Sequence, residues 1–240
     1  TMLYWSGAAW AFEKVRHPSG AVILMYHSVA DDEVAEFIDP PNHLRSTEFE
    51  RQMAFLSRHR NVVSLMELIE QLNAGEEPSA GTVCITFDDG YLDNLTVAAP
   101  ILEKYQLPAM LYLPTAYIDR GETHWADLVY QLIRFRTRDH LTMPSLGLSA
   151  DLSDKMQQIG AYQMLHRPLL TALYPDRQAI LEQVREQLQP SQVGPRLTMN
   201  WDDVRDMGQR FPQFSIGGHS QWHVDLNAHR GQCALGEIEG

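Results

Sequence analysis

A series of short, almost wholly apolar runs constrains this chain more than any other feature. TVCITF (Thr82 to Phe87) and AMLYL (Ala109 to Leu113) are apolar nearly throughout, AVILMYHSV (Ala21 to Val29) begins the same way, and QFSIGG (Gln213 to Gly218) restores the pattern late in the chain. Strands buried on both faces have this character. Helical stretches separate them. STEFERQMAFLSRH puts Phe49, Met53 and Leu56 on one helical face, with Thr47 and Glu50 spaced as a capping box. NVVSL reads as a short strand ending at Ser64. Ser64 and Glu67 predict a second capping box, opening a helix through Leu65, Leu68, Ile69 and Leu72 that stops near Gly75. LTVAAPILEKY supplies a further helix. Buried strands alternating with helices predict a parallel sheet covered on both faces, so the class is α/β. A barrel and a doubly wound sheet both fit.

From about Trp125 to Val193 the strand signal fades and the chain reads as helices, including ADLVYQLIRFR and DRQAILEQVREQLQ. We read residues 125–193 as a helical insertion in a single domain spanning 1–240. The insertion begins just after the carboxyl end of the AMLYL strand, so it is expected near any site there as a substrate-facing lid. Trp125 is expected as a core anchor of the insertion, with stacking on a sugar as the alternative. No internal repeat is present.

A chain of 240 residues with 44% apolar residues can bury a full core. Thirty-one acidic against nineteen basic residues give a net charge of -12, which argues against binding nucleic acid or anionic lipid. Only Cys84 and Cys233 are present, so no disulfide framework follows. The start MLYWSGAAWAF has no basic segment before it and is too short to span a bilayer. Without a signal peptide the expected compartment is the cytoplasm; if a signal has been trimmed, the protein is exported.

Catalytic groups in α/β folds gather at the carboxyl ends of strands. TVCITF is followed there by Asp88, Asp89 and Gly90, AVILMY by His27, and QFSIGG by His219 and His223 within GGHSQWH. Two imidazoles four residues apart can converge on one metal ion if their segment is helical. An Asp-Gly pair alone is an ordinary turn, and a lone histidine is more often structural. Coincidence on one face raises the three clusters above those readings. His124, His140, His166 and His229 show no convergent partners and are read as surface or structural residues.

TFDDG followed by H-S-x-x-H resembles the polysaccharide deacetylases, the NodB-homology family. MYHSV, VVSLMELIEQL, LPAMLYLPTAYI and MNWDDVRDM extend the likeness over roughly half of the chain. The resemblance implies a distorted (β/α) barrel and a divalent metal ion, zinc before cobalt or nickel. The metal would be held by Asp89, His219 and His223, with Asp88 as catalytic base and Ser220 supporting the loop. It is similar to the permuted branch with a YHxV strand, in which His27 would be the general acid. The implied activity is removal of N-acetyl, or O-acetyl, groups from a glycan, with no nucleic acid partner and no transmembrane segment. Family segments that follow the histidine pair are missing before Gly240, so the barrel is expected to be incomplete at its C-terminus. A catalytically impaired carbohydrate-binding relative is the alternative. A glycoside hydrolase fits less well, because adjacent carboxylates on a strand end do not face each other across a glycosidic bond.

Overall fold

The computed structural model describes residues 20–229 and 231–239; the apolar start, Met2 to Phe12, lies outside them. β1 (Ala21–Tyr26), β2 (Ser28–Ala30) and β3 (His43–Arg45) lead into α1 (Ser46–His59), and β4 (Asn61–Val62) into α2 (Leu65–Asn73). β5 (Thr82–Phe87) is followed by a π-helical segment, Asn94–Ala98, that continues as α3 (Ala99–Tyr105). β6 (Ala109–Leu113) runs into α4 (Thr115–Arg120) and α5 (Trp125–Arg134). The hairpin β7 (His140–Met143) and β8 (Leu148–Asp151) precedes α6 (Lys155–Thr171) and α7 (Tyr174–Leu188). The last elements are α8 (Trp201–Arg210), β9 (Phe214–Gly218) and α9 (Gln232–Glu239).

The main sheet is wholly parallel, in the order β1-β5-β6-β9 with β4 also on β5. β1 covers one edge of β5 along its length. β4 pairs at Thr82–Val83 and β6 at Thr86–Phe87, so these two follow one another along the other edge. Every residue of β5 is buried, as its uninterrupted apolar run requires. Ile85, Phe87 and Leu111 pack against Phe49 and Met53 of α1, Leu102 of α3 and Met207 of α8. Among the described residues no pairing joins β9 to β1, so the barrel is not closed there. Val22, Ile23 and Met25 on β1 are more than half exposed.

The insertion is not purely helical. β7 and β8 form an antiparallel hairpin turned at Gly147, whose φ of 64° suits a residue without Cβ. Four-residue strands give too short an alternation to stand out between long helices. Leu141, Met143, Leu148 and Ala150 face a second core with Leu165, Leu181 and Val184. Trp125 is 2% exposed within it, so it anchors the insertion and offers no surface to a sugar.

The two capping expectations part company. Ser64 accepts from Glu67 N–H at 3.1 Å while the Glu67 carboxylate accepts from Ser64 N–H at 2.8 Å, closing the box at α2. At α1 the helix starts at Ser46 behind Arg45 with no side-chain cap. Glu50 pairs with Lys104 of α3 instead, because that tertiary partner carries a full charge.

Candidate active site

Asp88 continues the β5 ladder by donating its N–H to the Tyr26 carbonyl at 2.9 Å, and the chain then turns sharply. Asp89 and Gly90 follow with φ of 72° and 63°. A Cβ on Gly90 would lie 2.7 Å from Leu113 Cδ2 and 2.9 Å from Ile118 Cδ1, so only glycine lets the turn pack this closely. The turn buries Asp89 and leaves its Oδ1 without a hydrogen-bond partner. Burial also pushes the Asp88 carboxyl above its ordinary range; His219 and then His27 oppose this, and Asp89 adds a smaller push.

His27 lies in the break between β1 and β2. Its carbonyl accepts from Asn94 Nδ2 at 2.7 Å. Asp93 takes the Ser28 hydroxyl at 2.6 Å and the Val29 N–H at 3.0 Å. The π-helical turn beginning at Asn94 sets both side chains against that break, a placement such distortions often serve. Burial pushes the Asp93 carboxyl up to about 6 against the hydrogen bonds it accepts.

His219 donates its N–H to the Leu113 carbonyl at 2.8 Å, extending the β6–β9 pairing by one residue. The segment after it is a loop, not the helix that the histidine spacing suggested. The rings still meet, 4.9 Å apart, because Ser220 and His223 adopt left-handed backbone with φ of 59° and 49°. The loop is held from outside. Thr115 and Ala116 donate their N–H groups to the Ser220 and Gln221 carbonyls, and Glu237 of α9 accepts from the Gln221 and Trp222 N–H groups. Besides Asp89, Ser220 and His223, the described non-glycine residues with positive φ are Gln106 and Gln189, both of which end helices. Left-handed backbone costs on the order of 1–3 kcal/mol per residue and persists where the surroundings fix it.

Asp89 Oδ1 stands 3.3 Å from His223 Nε2 and 3.7 Å from His219 Nε2, and Asp89 Oδ2 stands 3.9 Å from His27 Nε2. One ligand atom from each of Asp89, His219 and His223 falls within 4.8 Å of the others. A carboxylate and two imidazoles with a buried, unpartnered oxygen form a donor set that suits zinc and similar divalent ions. Burial, with His219 and Arg177 adding to it, holds the His223 pKa at about 3, so the imidazole is neutral as a ligand must be. A cavity of about 470 Å³ opens beside His219 and His223, walled also by Thr115, Val224, Leu226 and Ile238.

Several neighbours were not legible as site residues. His124 is 2% exposed, stacks on Tyr117 at 4.2 Å and meets the His223 ring edge-on at 5.3 Å, so it is a buried neighbour of the site and not a surface residue. Burial holds its pKa at about 3. Asp93 and Asn94 followed the motif without any periodic signal. Arg177 did leave one: it shares a stripe with Leu181, Val184 and Leu188, a charge where a helix of this spacing places core residues.

A sequence model of the polysaccharide deacetylase family matches residues 75–239, and the chain belongs to that family. Its fold is of the mixed α/β, NodB-homology class, and the family's chemistry is deacetylation of carbohydrate. A Bacillus subtilis (strain 168) protein named as a polysaccharide deacetylase, YxkH, is 36% identical over 108 residues, which is 43% of this chain and 35% of that protein. Among solved structures, IcaB from Ammonifex degensii is 15% identical with a TM-score of 0.47, the match covering 90% of this chain and 57% of that one. A de-N-acetylase from Aggregatibacter actinomycetemcomitans is 19% identical with a TM-score of 0.44, covering 84% and 55%. Among the described residues no helix is long and apolar enough to cross a membrane.

Proposed function

We propose that this chain is a metal-dependent deacetylase that removes N-acetyl groups, or O-acetyl groups, from a glycan. The observation that carries the reading is the meeting of Asp89, His219 and His223 within 4.8 Å beyond the carboxyl ends of β5 and β9. Asp88 and His27 follow strands of the same sheet, beyond β5 and β1. These three ligands would hold one divalent ion, zinc before cobalt or nickel. When bound, such an ion polarises an amide carbonyl and lowers the pKa of water.

The chain's own residues divide the remaining work. Asp88 accepts the proton of the attacking water, and His27 donates a proton to the departing amine nitrogen; each transfer contributes on the order of 10²–10⁴ in rate. Ser220 and its left-handed backbone keep His219 and His223 turned toward Asp89. Family membership supports an N-acetylated glycan as substrate, and the net charge of -12 favours a neutral or cationic one.

Acetate release from an N-acetylglucosamine oligomer tests the proposal. Release should stop after removal of metal by a chelator and return with added zinc. If the metal-loaded chain binds such oligomers but frees no acetate from N- or O-acetylated forms, it is a binding relative and not an enzyme.

A further inference from the structure

Arg177 of α7 is wholly buried, and among the described residues it makes no ion pair with a carboxylate. Its guanidinium is spent on three backbone carbonyls and one hydroxyl. Nε donates to the Leu169 carbonyl at 2.8 Å, one terminal nitrogen donates to the Trp222 carbonyl at 2.6 Å and to the Tyr117 hydroxyl at 3.0 Å, and the other donates to the His223 carbonyl at 3.2 Å. The Trp125 ring lies under it at 5.6 Å. A charged side chain is expensive to bury, and a purely packing role would be met more cheaply by an apolar residue.

We propose that Arg177 is a positioning residue for the metal loop: its fork fixes the carbonyls of Trp222 and His223 and thereby sets where the His223 ring points. Two successive carbonyls drawn to one guanidinium require a curled backbone, and His223 is the residue with φ of 49°. Among the described residues His223 Nδ1 is buried without a partner, so no hydrogen bond on that side of the ring orients it. Beyond Asp89 facing Nε2 at 3.3 Å, the ring is oriented through its backbone and its ring neighbours, Tyr117-stacked His124 among them. The planar, two-pronged geometry is specific to arginine; a lysine would reach one carbonyl at most. The insertion thus serves the site from behind, through a contact between residues 46 apart in sequence. This inference rests on the metal-site reading given above.

The test is zinc affinity by calorimetry, together with the visible spectrum of the cobalt-loaded protein, which reports ligand geometry. Arg177→Met should raise the zinc Kd by about 10–100-fold, as loss of a group that orients a ligand does, and should alter the cobalt bands. Leu181→Ala, in the same core one turn further along α7, should lower the melting temperature while leaving zinc Kd within about twofold, since it touches packing and not the loop. Should Arg177→Met fail to fold, Arg177→Lys carries the same comparison, because it keeps the charge and loses the fork. A folded Arg177 variant with wild-type Kd and cobalt spectrum overturns the proposal, as does a Leu181→Ala that weakens zinc as much. A wild-type chain that binds no divalent ion overturns this proposal and the metal-site reading together, whereas normal zinc binding by every variant removes only the role of Arg177.

Discussion

Asn94 donates from its side-chain amide to the backbone carbonyl of His27 at 2.7 Å, across 67 residues of sequence. Asn94 is buried, and among the described residues no other side chain holds that carbonyl. Asn94→Ala should therefore loosen His27 without touching the metal ligands. A net hydrogen bond of this kind is worth about 0.5–1.5 kcal/mol, so acetate release should fall on the order of tenfold, in kcat more than in KM. Calorimetry should find zinc affinity unchanged; a parallel loss of zinc would show that Asn94 acts on the metal loop instead.

The two adjacent aspartates should separate cleanly. Asp89→Asn should weaken zinc binding by orders of magnitude, and His219→Ala and His223→Ala should do the same, because each would remove one of the three proposed ligands. Asp88→Asn should keep zinc and lose about 10²–10⁴ in rate, since an amide takes no proton from water. Reversed phenotypes in the two asparagine variants would exchange the roles.

Asp127 is wholly buried, accepting from the Asp39 N–H and the Tyr91 hydroxyl, each at 2.7 Å. Burial pushes its carboxyl up to about 7, chiefly against those hydrogen bonds. A folded pKa above the unfolded value favours the protonated form, so the contribution is whole below about pH 4 and is lost as pH rises through about 7. Asp127→Asn should flatten that slope, with a difference on the order of a few kcal/mol across the window in urea unfolding. A slope equally steep in the variant would assign it to other groups, Asp93 first among them.

Gly90→Ala should destabilise the fold by roughly 1–3 kcal/mol, because the new methyl meets Leu113 and Ile118 and the φ of 63° disfavours any Cβ. Thermal unfolding is the measure. An unchanged melting temperature would mean that the motif turn relaxes freely.

How much of this was legible follows from the physics of each signal. β5 and β6 declared themselves because buried parallel strands need apolar residues at every position, and the placement of Asp88, Asp89, His27, His219 and His223 followed from where β5, β1 and β9 end. The convergence of the histidines did not follow from helical spacing. It comes from left-handed residues in a loop, and a backbone conformation of that sort leaves little mark on composition when the residues are Ser and His. The β7–β8 hairpin was too short to show its alternation. Arg177 sat in plain view on an apolar stripe, yet a charge in a helix rich in charges reads as a solvated face until its burial is known. His124 was silent because ring stacking depends on tertiary contacts alone.

The three left-handed residues of the site carry one more consequence, for how this protein can change. At Ser220 glycine would relieve strain and leave the donors in place; at Asp89 and His223 it would relieve strain only by removing a donor, so stability and the donor set pull in opposite directions at these two. A library screened only for thermal resistance should drift toward glycine at these positions and away from metal binding. Selection that keeps the donors must accept a less stable loop, and any gain in robustness has to come from elsewhere in the fold.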